Sequence, residues 1–214
     1  MTRPGFPERL FITGTDTEVG KTLVAAVLMT GLRGLYWKPI QSGLAPTTDT
    51  QWMKEKTGLD DTHFHPEAYV LHTPASPHYS AALDGVRIDL NAIQPPAIKT
   101  GEALIIEGAG GVMVPLNDTQ LMIDLIQAID APAVVVAPSG LGMINHTLMT
   151  LDQLRKQQIT IFGVVMNGEP HETNKKAIEH YGRVPVIAEI PPLNEITPAA
   201  LANVFKRFDP ERQI

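Results

Sequence analysis

The chain has 214 residues, 43% of them hydrophobic and 19% charged, with a net charge of −6 and no cysteine. This composition suits a globular protein with one generous core and offers no basic block for a nucleic-acid surface, and the missing thiols exclude disulfides, thiolate metal sites and a cysteine nucleophile. Met1 to Arg9 lack the apolar core of a secretory signal and no uninterrupted apolar run reaches membrane-spanning length, so the expected compartment is the cytoplasm, with neither membrane nor nucleic acid as a partner.

Apolar β-rich runs alternate with helical patterns along the chain. In order, the pattern predicts a strand at 10–13, a helix at 21–32, a strand at 35–38 and a helix at 50–56. An irregular excursion rich in His and Pro follows at 59–86, crossing the active edge without forming a separate domain. Next come a helix at 89–98, a strand at 103–107, a helix at 120–129, a strand at 133–137 and a helix at 144–157. A strand at 161–166, a helix at 172–181, a strand at 184–190 and a helix at 198–205 close the series. The runs Leu104-Ile105-Ile106 and Val134-Val135-Val136 do not alternate in polarity, as in strands buried on both faces of a parallel sheet. Leu121, Met122, Leu125, Ile126 and Ile129 recur with helical period. The expected fold is one doubly wound α/β domain over 1–214, a mainly parallel sheet flanked by helices and P-loop NTPase-like. Ligands in such sheets bind at the carboxyl ends of the strands, so the polar residues just after strands are the functional candidates.

Gly14-Thr15-Asp16-Thr17-Glu18-Val19-Gly20-Lys21-Thr22 lies between a predicted strand and a predicted helix, the context a phosphate-binding loop requires. Free backbone N–H groups and the helix dipole attract phosphate there, Lys21 adds a full charge, and Thr22 offers a hydroxyl to Mg2+. Five residues separate the glycines instead of the common four, which narrows the choice of nucleotide-binding families. Glu107 ends an apolar strand and precedes Gly108-Ala109-Gly110-Gly111, where an acid can hold magnesium and backbone can approach a ligand. Lys38, at another strand end before Pro39, is a candidate for stabilising a developing anion. Asp49 reads both as a helix cap and as a metal ligand. Gly140 to His146 open a helix after a strand, a second site for an anion such as a substrate carboxylate. His146 reads as a packed or capping histidine, and the spacing of His63, His65, His72 and His78 does not make a zinc site.

The long loop, together with Lys38-Pro39-Ile40-Gln41-Ser42-Gly43, Glu107-Gly108-Ala109-Gly110-Gly111, Gly140-Leu141-Gly142-Met143-Ile144-Asn145-His146 and Ser76-Pro77-His78, resembles the dethiobiotin synthase family from residue 10 to about 195. The resemblance implies a homodimeric, Mg2+-dependent cyclo-ligase of biotin synthesis that closes 7,8-diaminononanoate and CO2 into a cyclic urea with ATP. It implies catalytic roles for Lys21, Lys38 and Thr17, and magnesium at Thr22, Asp49 and Glu107. Glu18, Val19, Gly20, Lys21, Thr22 and Leu23 would wrap the phosphates of ATP, with Gly108, Ala109 and Gly110 beside them. Asn167, Gly168, Pro191, Pro192 and Leu193 would contact its base. Thr17 and Ser42 would bind substrate, and Gly142, Met143, Ile144 and Asn145 would receive its carboxylate from across the dimer interface. A partition or septum-positioning switch ATPase shares the loop type but carries a second lysine near its start, where this chain has Asp16. An amidating synthetase of the cobyrinate kind needs a glutaminase domain with a cysteine, which this sequence lacks.

Overall fold

The computed structural model describes residues 5–212; Met1 to Pro4 of the opening stretch lie outside it. Strand β1 (Arg9–Gly14) leads through the Gly-bounded loop into α1 (Lys21–Leu32), followed by β2 (Leu35–Trp37), β3 (Ile40–Ser42) and α2 (Asp49–Thr57). The excursion holds β4 (Phe64–His65), β5 (Tyr69–Leu71) and α3 (Pro77–Leu83). The remainder alternates regularly: β6 (Leu104–Gly111), α4 (Met122–Ile129), β7 (Ala133–Pro138), α5 (Met143–Lys156), β8 (Ile161–Asn167), α6 (Glu172–Gly182), β9 (Val186–Ile190) and α7 (Pro198–Phe205).

Among the described residues, seven strands form one sheet in the order β4-β2-β6-β1-β7-β8-β9, with parallel pairing throughout. The order reverses about β1, so the loop after β1 opens at the switch point where doubly wound sheets bind ligands. One face of the sheet packs on α1 and α7 through Val24, Leu28, Ile105, Val136 and Leu201. The other packs on α4, α5 and α6 through Ile106, Val135, Ile126, Leu151 and Ile178. The non-alternating strand sequences follow from this double coverage. Helix α1 carries apolar residues nearly all round because the sheet and α7 enclose it.

Three expectations change. Over 89–98 only a single 3-10 turn forms, Leu90–Ala92. Pro95 disfavours helical backbone at Gln94, so the apolar spacing never becomes a helix. The 59–86 stretch is more regular than its composition implied: β4 extends the main sheet, while β5 pairs with β3 in a small second sheet. These strands are two or three residues long, too short to show a period. The last strand starts at Val186, not 184, one residue after Pro185, which has no N–H to give to a ladder.

Helix α1 meets α7 at Gly31, where an added Cβ would stand 2.1 Å from a ring carbon of Phe205. The usual helix penalty of glycine is offset by that close approach. Gly31→Ala is expected to lower unfolding free energy by about 1–3 kcal/mol in urea melts, by forcing α7 outward.

Candidate active site

The loop after β1 is fixed by geometry that only some residues tolerate. Gly20 caps α1 with φ 99°, and a Cβ there would stand 2.2 Å from Nδ2 of Asn167. That same Nδ2 donates to the carbonyl of Val19 at 3.0 Å, so β8 braces the loop from across the sheet. Lys21 Nζ folds back to the carbonyl of Asp16 at 2.9 Å.

On the other side of β1, three side chains from α1 and the end of β2 converge on Glu107. This carboxylate is 1% exposed at the end of the apolar part of β6. Oε1 accepts from Thr22 Oγ1 at 2.8 Å and from Lys38 Nζ at 3.0 Å; Oε2 accepts from the Tyr36 hydroxyl at 2.9 Å. Lys38 also pairs with Asp49 Oδ2 at 2.6 Å, and Thr22 Oγ1 lies 3.1 Å from Asp49 Oδ1. Asp49 is not the cap of α2. Thr48 is, in a capping box with Gln51, and this leaves the Asp49 carboxylate free to face the site. Gln41 anchors the backbone at that point, accepting from Asp49 N at 3.1 Å.

These contacts move the ionisation of the groups involved. Burial is the largest influence on Lys38 and pulls its pKa down, but Glu107 and Asp49 together outweigh it and hold the ammonium above its ordinary value. Asp49 is pushed up most strongly by burial, yet Lys38 and the hydrogen bonds from Lys38 and Thr22 bring its carboxyl below the usual range. For Lys21 burial wins, with the nearby Lys38 charge adding to it, and the pKa falls. Burial, then the charges of Glu107 and Asp49, raise Tyr36 well above a normal phenol, so its hydroxyl remains a donor.

A cleft of about 640 Å³ opens over this cluster. Of the predicted residues, Thr17, Glu18, Gly20, Lys21, Thr22, Lys38, Ser42, Asp49, Glu107, Ala109 and Gly110 line it. Ser42 Oγ is buried and finds no hydrogen-bond partner among the described residues, an orphan that a ligand would satisfy. Val19 is instead buried in the core and Leu23 packs against it, so the loop presents only their backbone. Gly108 is a packing position, where a Cβ would stand 2.8 Å from the Phe11 ring. Asn167 meets the phosphate loop at Val19 and Gly20 without lining the cleft, as Gly168 and Pro191 to Leu193 also do not; Gly168 N donates to the Ile190 carbonyl at 2.9 Å, tying the β8 turn to the start of Pro191-Pro192-Leu193. Gly142, Ile144 and Asn145 do not join the main cleft. They line a separate one of about 460 Å³ with Leu141, His171 and Asn174, while the Met143 side chain is buried. His146 is exposed, not packed, beside Met113 and Met149 in a third cleft of about 480 Å³.

The oxygens of Thr22, Asp49 and Glu107 suit a magnesium ion. Their separations from Thr22 Oγ1, 2.8 and 3.1 Å, match neighbouring ligands of an octahedron. With metal–oxygen bonds of about 2.0–2.1 Å, such an edge measures about 3 Å. The sequence did not single out Tyr36 or Gln41. Tyr36 had one available sign, a polar-tipped ring two residues before Lys38 and so on the same face of the strand.

The sequence model of a family described as an AAA domain matches residues 8–200. An ATP-dependent dethiobiotin synthetase BioD from Paramagnetospirillum magneticum is 50% identical over 195 residues, covering 91% of this chain and 93% of the relative. The chain belongs to the dethiobiotin synthetase family. A family member from Brucella melitensis is 44% identical over 199 residues, 93% of each chain. In Bordetella avium the likeness, 43% over 196 residues, falls within a larger biotin biosynthesis bifunctional protein BioCD, 42% of which is covered. Among solved structures, a ParA family ATPase from Chlorobium tepidum aligns with TM-score 0.55 at 12% identity, over 94% of this chain and 92% of that one. The septum site-determining protein MinD from Pyrococcus horikoshii, complexed with Mg-ADP, aligns at 0.52 and 16% identity, over 97% and 94%. At such identities the likeness is one of fold: this dethiobiotin synthetase family member has the P-loop ATPase architecture.

Two outcomes follow from the site. Gly20→Ala places a side chain where both φ and Asn167 forbid it, and is expected to weaken binding of an ATP analogue at least tenfold by calorimetry, with the melting temperature changing much less. Because the folded Asp49 pKa lies below its unfolded value, its contribution to stability is present above about pH 4 and is lost as pH falls through the folded value. Lys38→Met removes the cause, so the dependence of urea stability on pH between about 5 and 3 should become shallower than in the parent chain.

Proposed function

We propose that this dethiobiotin synthetase family member converts 7,8-diaminononanoate, CO2 and ATP into dethiobiotin, ADP and phosphate in the main cleft. One substrate amine adds to CO2 and loses a proton, giving a carbamate. A carbamate oxygen takes the γ-phosphoryl group of ATP, and ADP leaves. The second amine then attacks the carbon of the mixed anhydride and loses a proton, the C–O bond to phosphate breaks, phosphate leaves, and a cyclic urea remains.

The observation that carries this reading is a second buried cation. Lys38, 4% exposed, shares a carboxylate with the phosphate-loop Thr22 and lines the same cleft as Lys21. An ATPase needs positive charge around the nucleotide phosphates; a ligase that makes an acyl phosphate also needs it on the acceptor. Lys21 is suited to the transferred phosphoryl oxygens and Lys38 to those of the carbamate. Thr17 and the orphaned Ser42 hydroxyl are suited to orienting substrate, and the fixed geometry keeps the second amine close to the activated carbon. Thr22, Asp49 and Glu107 would hold Mg2+, which supplies charge neutralisation at the phosphate oxygens when bound. Asn167, Gly168 and Pro191 to Leu193 would frame the base.

The Gly142–Asn145 cleft is separate from the chemistry, which supports a homodimer whose second copy offers this helix start to the substrate carboxylate. Exposed Leu141, Met149 and Met113 supply an apolar surface for that contact. The enzyme is read as one cytoplasmic domain acting on small molecules alone.

Phosphate release should require ATP, bicarbonate and the diamino acid together, and fall to background when any one is omitted. Lys38→Ala should lower turnover at least about a hundredfold while circular dichroism remains native. Turnover with ATP alone that rises with DNA or lipid would overturn the ligase reading, and parental turnover in Lys38→Ala would remove Lys38 from the chemistry.

A further inference from the structure

Glu107 divides its oxygens between two environments. Oε1 serves the cleft through Thr22 and Lys38. Oε2 serves the core, where it accepts from the Tyr36 hydroxyl at 2.9 Å. Tyr36 is completely buried, its ring set edge-on to Phe64 with centroids 6.0 Å apart. The sheet register accounts for the reach: Tyr36 pairs with Ile105, and Glu107 lies two residues further on β6, on the same face. A phenylalanine would fill the same core, so the hydroxyl has its consequence at Glu107.

We infer that Tyr36 is a positioning residue for metal selectivity, its hydrogen bond to Oε2 holding the Glu107 carboxylate in the orientation that presents Oε1 alone to a divalent cation. This rests on the proposed metal role of Thr22, Asp49 and Glu107. Mg2+ requires a near-ideal octahedron of single oxygens, whereas Ca2+ accepts more ligands and takes both oxygens of one carboxylate. Turning Glu107 to present both oxygens would break its bond to Tyr36 and leave a buried phenol without a partner. The clamp therefore leaves Mg2+ binding intact and penalises Ca2+.

The test is calorimetric titration of Mg2+ and of Ca2+ into the full-length chain saturated with a non-hydrolysable ATP analogue. In Tyr36→Phe the ratio of Mg2+ to Ca2+ affinity should fall about tenfold, the low end for loss of a group supporting a metal ligand. The change should come from tighter Ca2+ binding, with Mg2+ affinity held. Phe64→Leu loosens the packing of the same ring without touching the hydroxyl, and should leave the ratio unchanged. Circular dichroism and thermal melts establish that both variants are folded. A ratio within twofold of the parent in Tyr36→Phe, or an equal fall in Phe64→Leu, overturns the positioning role. If the parent binds neither ion with the analogue present, the metal role of the cleft fails and this inference fails with it. If the parent binds and Tyr36→Phe behaves identically, this inference alone fails.

Discussion

A carboxylate removed from water needs partners, and Glu107 is 1% exposed midway along the central strand β6. Leaving such an ion unpaired would cost several kcal/mol, so the neighbouring elements are fixed by what they bring to it. Helix α1 brings Thr22, the end of β2 brings Tyr36 and Lys38, and Lys38 in turn draws in Asp49 at the start of α2. Each of these groups has a partner before any ligand arrives. The site is preorganised, which is what electrostatic catalysis requires, because little reorganisation then opposes the reaction.

Much of this was legible in the sequence because backbone rules dictate it. Non-alternating apolar runs announce strands covered on both faces, and the strand–glycine loop–helix order places Lys21 and Thr22. Glu107 and Lys38 stood out as charged residues at the ends of apolar runs, positions where doubly wound sheets put chemistry. Other features depend on contacts distant in sequence and left no local trace. Tyr36 looks like a core aromatic until its hydroxyl is seen against Glu107. Gln41 lies inside a recognised motif, but its hold on the first turn of α2 appears only in three dimensions. Asp49 has the side chain of a helix cap, yet Thr48 with Gln51 performs that task. The helix expected over 89–98 had the right apolar spacing and the wrong backbone, since two prolines confine it to one turn.

The three clefts divide along the sheet edge. The main one gathers the charged groups around β1, β2 and β6, while the other two lie beside the start and outer face of α5. Charge compensation governs the first; the others combine a helix start with exposed methionine and leucine, a composition suited to an association surface. On the reading proposed above, Lys38 just beyond β2 and Ser42 on β3 would form the acceptor side of the cleft.

The bond from Asn167 to the Val19 carbonyl joins residues 148 positions apart. A ribosome releases the phosphate loop, both lysines and both carboxylates long before it reaches β8. Until then the emerging chain holds every charged group of the cleft, yet the loop lacks its distant brace. The loop is therefore unbraced until β8 has emerged, and a fragment ending after β7 would carry the chemical groups without the contact that aligns them.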